Sequence, residues 1–128
     1  MSDQDPLGKG QHTVGAKLDK GKNRLGLVLG DFSSALYQVG LIGTYGAEKY
    51  TDGGWKEVPN GKQRYEDAML RHWLAYKGGE TFDTESGLPH LAHMAWNALA
   101  VLTLSRKDPL SPQHKEMLRE LFTEEPKG

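Results

Sequence analysis

The sequence predicts an all-α fold, a small bundle of about four helices in one domain. Apolar residues recur at spacings of three and four over several stretches, which is the periodicity of a helix with one buried face. Glycine-rich and proline-containing turns separate these stretches. The 128 residues are enough for one hydrophobic core and too few for two ordinary domains.

By composition the chain divides into an arm, a helical domain and a tail. Residues 1–24 carry five basic and three acidic side chains with almost nothing to bury, which predicts a flexible basic arm. Residues 25–122 form the predicted single all-α domain, in which we expect the chemistry. Residues 123–128 read as a frayed tail.

Two helices are predicted in the first part of this domain. A short extended lead-in over residues 25–29 precedes the first, for which Asp31 or Ser33 offers an N-cap and which ends near Tyr50. Its buried stripe contains Phe32, Leu36, Val39, Ile42 and Gly46. The second begins at residues 60–63, where Asn60 and Gln63 resemble a capping box, and runs to Lys77 before two glycines.

Two further helices are predicted after that glycine pair. The third spans about Pro89 to Leu104 and is apolar nearly all round, except for His90, His93 and Asn97. At 100° per residue these three lie within about 60° of one another and form one polar stripe. A buried polar stripe needs partners, so we expect an organised polar interior. The fourth helix is short and amphipathic, from Ser111–Pro112 to Phe122.

Charge and composition exclude several classes of protein. The formal charge of −1 leaves no positive excess to hold a nucleic acid backbone, so stable nucleic acid binding is not expected. No apolar run approaches the roughly 20 residues of a membrane helix. The absence of cysteine excludes disulfides and thiolate metal sites, and the acidic, polar start does not resemble a secretory signal. We expect a cytoplasmic location.

An acidic loop leads directly into the third helix. It contains Glu80, Asp83 and Glu85 without a basic residue, and such carboxylates repel one another unless a cation or another partner compensates them. One interpretation is a solvated acidic loop, with His90 and His93 as core histidines satisfied by Asn97 and backbone carbonyls. The other is a metal site, because carboxylates with imidazoles suit Mg²⁺ or Mn²⁺ and, less exclusively, Zn²⁺, Fe or Co²⁺.

The second helix contains three more candidates. Asp67 and Arg71 stand at i and i+4, either as a surface ion pair or as a metal or imidazole partner and a phosphate ligand respectively. His72 lies on the apolar face, where a hydrogen-bonded core histidine and a catalytic one are equally expected.

The turn after the first helix contains candidate phosphate and base contacts. Lys49 and Lys56 are candidate phosphate ligands, and Trp55 or Tyr50 a stacking surface for a base. The sequence contains no Walker motif, no GxGxxG opening a helix, no GxSxG elbow, no HExxH and no adjacent His-Asp pair.

Five segments together resemble a known family. They are Tyr-Gly-Ala-Glu-Lys-Tyr (45–50), Gly-Gly-Trp-Lys (53–56), Arg-Tyr-Glu-Asp-Ala-Met-Leu-Arg-His (64–72), Gly-Glu-Thr-Phe-Asp-Thr-Glu-Ser-Gly-Leu-Pro-His-Leu-Ala-His (79–93) and Trp-Asn-Ala-Leu-Ala (96–100). Over roughly residues 24–104 the chain resembles small, largely phage-encoded proteins described as dATP/dGTP diphosphohydrolases. They are grouped near the MazG-like all-α nucleotide pyrophosphohydrolases.

This resemblance implies an all-α core, usually dimeric, and a carboxylate-held divalent ion that activates water for attack on the α-phosphorus. MazG-like enzymes place an ExxE pair on one helix and an ExxD pair on the next. Here Glu80 and Asp83 have ExxD spacing but precede the helix, and that helix offers His90 and His93 instead. The ligand set is therefore expected to differ.

We expect metal-dependent hydrolysis of a purine deoxynucleoside triphosphate, dATP or dGTP, to monophosphate and pyrophosphate. The third helix is too apolar for so small a chain to cover, which predicts a homodimer. The expected catalytic residues are Glu80, Asp83 and His93. The expected metal-holding residues are Asp67, Glu80, Asp83, His90 and His93. The expected substrate-binding residues are Lys49, Trp55, Lys56, Arg71 and Asn97.

Two alternatives stay open at this point. One is a phage protein that binds or sequesters a nucleotide without cutting it, through the same lysines and aromatic residues. The other is a structural helical protein with a satisfied polar core, whose melting temperature no nucleotide would shift.

Overall fold

The computed structural model describes residues 6–105 and 112–122. These residues form five α-helices and one short 3-10 helix, and no strand occurs among them. The helices are α1 (Leu25–Asp31), α2 (Ser33–Lys49), α3 (Gly61–Lys77), α4 (His90–Ser105) and α5 (Pro112–Phe122), and the 3-10 helix covers Gly54–Glu57. The all-α prediction is confirmed, with one helix more than expected.

The chain separates into two units. Residues 26–107 form one and contain α2, α3, α4 and all but the first residue of α1; residues 1–25 with 108–128 form the other, which contains α5. The predicted boundaries of arm, domain and tail remain predictions, and the predicted tail (123–128) lies outside the described residues.

The predicted extended lead-in is wrong, because Leu25–Asp31 is helical. Its apolar residues alternate but also recur at i, i+3 and i+4, and so short a run does not distinguish strand from helix. The predicted N-cap is wrong as well, since Phe32 occupies that position of α2 without a side-chain cap. No single described helix has the length and apolarity to cross a bilayer; α1 and α2 meet both criteria only together, across a bend of 85°.

The start of α3 differs from the prediction, and its end agrees with it. Asn60 occupies the N-cap position with φ 54° and makes no side-chain cap hydrogen bond, so the predicted capping box is wrong. A capping side chain needs β-region backbone, which a left-handed Asn60 does not have. The helix ends at Lys77, where Gly78 N–H donates to Leu74 O over 2.9 Å and Gly79 follows with φ +100°.

α4 packs against both α3 and α2, and it contributes most of the buried side chains. The buried apolar residues of the described chain are Ile42, Ala92 and Ala100. The buried polar residues are His90, His93 and Asn97, which is the polar stripe that their spacing predicted. The interior next to α4 is therefore polar along one side.

Candidate functional site

Two imidazoles and a carboxylate form a hydrogen-bonded chain between α3, α4 and the loop that joins them. His90 Nε2 lies 2.6 Å from Glu80 Oε1, and His90 Nδ1 lies 2.8 Å from His72 Nδ1. A neutral imidazole has one donor and one acceptor nitrogen, whereas an ionised carboxylate only accepts. We therefore assign the His90 proton to Nε2, so that His90 Nδ1 accepts the hydrogen bond from His72 Nδ1–H.

The loop before α4 is closed by its own backbone hydrogen bonds. Glu80 N–H donates to Ala75 O over 3.0 Å, which places Glu80 directly after the last turn of α3. Asp83 N–H donates to Leu88 O over 2.8 Å, and His90 N–H donates to Thr81 O over 2.9 Å. These bonds hold the loop carboxylates beside the first turn of α4.

His93 lies one turn further along α4 and has a second set of partners. Its Nε2 is 2.7 Å from Ser86 Oγ and 3.8 Å from Asp83 Oδ2. The Ser86 N–H donates to Asp83 Oδ2 over 2.8 Å, and Leu88 N–H donates to Ser86 Oγ over 3.2 Å. Ser86 thus joins the imidazole to the carboxylate.

The two sets meet through ring stacking. The rings of His72 and His93 lie nearly parallel, at 7°, with centroids 4.3 Å apart. The Asn97 amide donates to the His93 backbone carbonyl over 2.8 Å. Imidazoles and carboxylates from α3, α4 and the loop therefore converge on one place instead of being satisfied separately.

Burial and neighbouring charges set the protonation of this cluster. Burial lowers the pKa of His72 to about 4, and the adjacent His93 and His90 act in the same direction. Burial also lowers the pKa of His93, against the opposing pull of Asp83. Burial alone would raise the pKa of Asp83, but hydrogen bonds from Ser86 outweigh it and that pKa is lowered. Near pH 7 the rings of His72 and His93 are thus neutral and the Asp83 carboxylate is ionised.

One group of ligand-bearing side chains in the described residues is close enough to hold a metal ion. It consists of His72, Asp83 and His90, whose ligand atoms all lie within 4.8 Å of one another. Unprotonated imidazole nitrogens and carboxylate oxygens are the donors that divalent ions require. The donor set therefore fits a divalent cation, and Glu80 and His93 contact the same group from outside.

A cavity of about 710 Å³ opens beside His93, between α2, α3, α4 and the 3-10 segment. Its volume lies within the roughly 300–1,000 Å³ typical of small-molecule sites. Four predicted site residues line it: Trp55, Arg71, His93 and Asn97. The structure thus places these four predicted residues around one cavity, and His93 connects it with the group of His72, Asp83 and His90 by stacking on His72.

Three aromatic rings form one part of the cavity wall. Trp55, Tyr65 and Trp96 meet edge to face, with centroids 5.5–6.0 Å apart. The Tyr65 hydroxyl donates to Trp55 O over 2.8 Å and fixes the 3-10 segment to α3. This wall offers apolar ring surface in a cavity that Arg71 also lines, and aromatic rings with basic side chains suit a base and its phosphates.

Three predicted residues lie apart from the imidazoles. Lys49 Nζ binds Glu85 Oε1 over 2.7 Å, and Tyr45 donates to the same oxygen over 2.7 Å. Lys56 and Asp67 line a separate depression of about 840 Å³ at the start of α3. No ion pair joins Asp67 to Arg71 in the described structure, although their i, i+4 spacing permits one.

Two residues of the cluster are not among the site residues expected from the sequence. His72 was left between core and catalytic roles, and it proves to be the contact between the two sets. Ser86 had no signal beyond its place in the acidic loop. The contact of Ser86 with His93 becomes evident only when the loop is seen closed onto α4.

Comparisons with known proteins point to one family. A family model described as "dATP/dGTP diphosphohydrolase, N-terminal" matches residues 12–113. A protein of Salmonella phage PMBT28 named "dATP/dGTP diphosphohydrolase" is 31% identical over 102 residues. That match covers 80% of this chain and 33% of the relative, so the chain spans about a third of the relative's length. No solved structure shows a significant match.

Proposed function

This chain belongs to the dATP/dGTP diphosphohydrolase N-terminal family, and from that membership we propose that it hydrolyses a purine deoxynucleoside triphosphate, dATP or dGTP. The products are the monophosphate and pyrophosphate. A divalent ion takes part, Mg²⁺ or Mn²⁺, with Co²⁺ or Zn²⁺ as substitutes. The relative extends far beyond the matched segment, so the activity has to be measured on this chain itself.

One observation carries the proposal: a group able to hold a metal ion adjoins a cavity lined by aromatic rings and a guanidinium. His93 belongs to both, because it lines the cavity and stacks on His72 of the metal-ligating group. A helical protein with a merely satisfied polar core would need no cavity at this point.

We propose one orientation of the nucleotide in the cavity. The purine lies against Trp55 and the other two rings, because every base has a face for stacking. The phosphates extend towards Arg71, whose planar fork suits phosphate oxygens, and towards the imidazoles. Asn97 lines the same cavity and donates to the backbone carbonyl of His93. Lys49 reaches a phosphate only by releasing Glu85.

The proposed reaction at the α-phosphate of the nucleotide is a hydrolysis. A water oxygen bonds to the α-phosphorus, and the bond from that phosphorus to the α,β-bridging oxygen breaks, so pyrophosphate leaves with the electron pair. We assign the proton of the water to His93, which is neutral before the reaction, with Asp83 close enough to stabilise the imidazolium. A divalent ion supplies positive charge that neutralises the triphosphate.

The test is the release of pyrophosphate from a panel of deoxy- and ribonucleoside triphosphates with Mg²⁺, Mn²⁺ or Co²⁺. We expect turnover with dATP or dGTP, and a loss of about 10²- to 10⁴-fold in kcat for His93→Ala. Glu80→Ala is expected to lower turnover as well, because His90 loses its partner. His12→Ala and Glu48→Ala, which change the same residue types at exposed positions, are the matched controls.

Two outcomes contradict this proposal. Undiminished activity in both folded variants would remove the site. Tight nucleotide binding by calorimetry with no product after long incubation would instead identify a nucleotide-sequestering protein.

The active unit is proposed to be a homodimer. Leu91, Leu99 and Leu102 are 46%, 50% and 58% exposed on α4, within about 80° of one another at 100° per residue. They face away from the polar stripe of the same helix. A second copy would cover this apolar strip, because a symmetric interface places the same patch of both chains together.

A further inference from the structure

We propose that His72 and His90 bind one divalent ion together, each through Nδ1, and that Glu80 holds His90 without touching the ion. This proposal concerns the same site and rests on the proposed function, which requires a divalent ion. It adds His72 as a metal ligand and removes Glu80 from the ligands. Glu80 and Asp83 lie in the same acidic loop but have different roles in this proposal: Asp83 binds the ion, and Glu80 binds His90.

The two Nδ1 atoms are close enough to bind the same ion. His72 Nδ1 and His90 Nδ1 are 2.8 Å apart. Imidazole nitrogens bind zinc at about 2.0–2.1 Å, so two of them in its tetrahedral site stand about 3.4 Å apart. The two Nδ1 atoms therefore lie within about 0.6 Å of the separation of two ligands of one ion.

Glu80 determines which nitrogen of His90 is available. Its carboxylate accepts the His90 Nε2–H over 2.6 Å, so the lone pair of His90 lies on Nδ1 with or without an ion. Ligating histidines commonly donate their second N–H to a carboxylate in this way. Because His90 is 3% exposed, solvent does not replace that partner.

Metal entry then changes the tautomer of His72 alone. With the His90 proton on Nε2, the hydrogen bond between the two rings requires a proton on His72 Nδ1. On metal binding that proton leaves Nδ1, a proton adds to Nε2, and the Nδ1 lone pair binds the ion. His72 thus keeps one ring proton, which changes from Nδ1 to Nε2. Asp83 supplies the third ligand, a carboxylate oxygen.

The first experiment is calorimetric titration of the full chain with Mn²⁺ and, separately, Zn²⁺, without nucleotide. We expect one strong site, lost by at least about 100-fold in affinity in His72→Gln and weakened about 10- to 100-fold in Glu80→Gln. Glu85→Gln, the same substitution five residues along the loop, should bind like the wild type because Lys49 holds Glu85 away from the ion. Unchanged affinity in His72→Gln, or no binding by the wild type, would overturn the inference.

The second experiment needs no variant, so a failure to fold cannot obscure it. Long-range ¹H–¹⁵N spectra of the histidine rings distinguish Nδ1–H from Nε2–H tautomers. We expect His72 to change from Nδ1–H to Nε2–H when Zn²⁺ is added, while His90 keeps its proton on Nε2. A His72 tautomer that saturating Zn²⁺ leaves unchanged would overturn the inference. Both experiments omit nucleotide, so they can succeed even if hydrolysis is absent.

Discussion

His72, His90 and His93 share one cluster, yet each ring has different partners and therefore a different chemistry. Both nitrogens of His90 are engaged, by Glu80 and by His72. His93 has Ser86 on Nε2 and lines the cavity between α2, α3 and α4. His72 can most easily change the nitrogen that carries its proton, because it is only partly buried and has one ring nitrogen in a described hydrogen bond.

Ser86→Ala tests the link between the acidic loop and His93. The change removes the hydroxyl that contacts His93 Nε2 and accepts from Leu88 N–H. We expect a loss of about 1 kcal/mol in unfolding free energy, measured with urea, because one part-buried hydrogen-bonding group disappears. We also expect kcat to fall while the affinity for Mn²⁺ stays within a few-fold. Equal losses in metal affinity and kcat would show that Ser86 acts on the ligands instead.

The pH dependence of stability tests the neutral state of His72. Its pKa is about 4 in the folded chain against 6.5 for an ordinary histidine, because it is buried next to His93 and His90, while Asp83 opposes the shift. The unfolded chain therefore binds the proton more readily, so the stabilising contribution is complete above about pH 6.5 and decreases as the pH falls towards 4.

The measurement is urea unfolding of the metal-free protein at pH 7.5 and pH 5.0. We expect the unfolding free energy to fall more in the wild type than in His72→Gln, since the variant cannot take up this proton. An equal fall in both proteins would mean that His72 does not titrate in this way.

For single residues, the sequence predicts which side chains share a face of one helix, but it does not predict contacts between different helices and loops. His90, His93 and Asn97 were predictable as one stripe because helical spacing alone places them together. His72 and Ser86 reach the cluster through the packing of α3 on α4 and the closure of the loop. The sequence places His72 on an apolar face without identifying its partners, and it gives no signal for Ser86 beyond its place in the acidic loop.

Among the elements, the connection from α3 to α4 determines the geometry of the site. Gly78 and Gly79 end α3, and the next residue is Glu80, the partner of His90. Gly79 has φ +100°, a conformation that side chains rarely adopt, and an added Cβ would meet nothing within 4 Å. A substitution there therefore reports on backbone conformation and not on steric overlap.

Gly79→Ala is expected to cost about 1–2 kcal/mol of unfolding free energy, the ordinary penalty for a left-handed alanine. Gly40→Ala is the matched control, because Gly40 lies exposed within α2 with nothing near an added Cβ. That control should be neutral or stabilise by up to about 1 kcal/mol, because alanine favours a helix interior. Urea unfolding measures both, and equal effects would contradict the assigned role of Gly79.

The elements also show where sequence periodicity fails. The ends of α3 and α4 followed from glycine signals and helical spacing. α1 did not, since seven residues with alternating leucines fit a strand and a helix equally well. The start of α3 was misjudged because Asn60 acts through its backbone conformation, whereas the capping-box pattern assumes a side-chain bond.

For the whole molecule, the exposed apolar strip on α4 leads to a prediction about assembly. Light scattering with size-exclusion chromatography should give the mass of two chains for the wild type. Leu99→Glu should give the mass of one chain, because a charge would have to be buried at the interface. Val14→Glu, at a residue 94% exposed, should remain dimeric. A wild type with the mass of one chain would contradict the homodimer.

The central claim is that one place in this protein holds both a divalent ion and the phosphates of a purine deoxynucleotide. A crystal structure soaked with Mn²⁺ and a non-hydrolysable dGTP analogue tests it most directly, because Mn²⁺ is located by its anomalous scattering. We predict the anomalous peak between His72, Asp83 and His90, with the base against Trp55 and the phosphates towards Arg71. Mn²⁺ bound instead at Asp67, in the separate depression at the start of α3, would contradict the account.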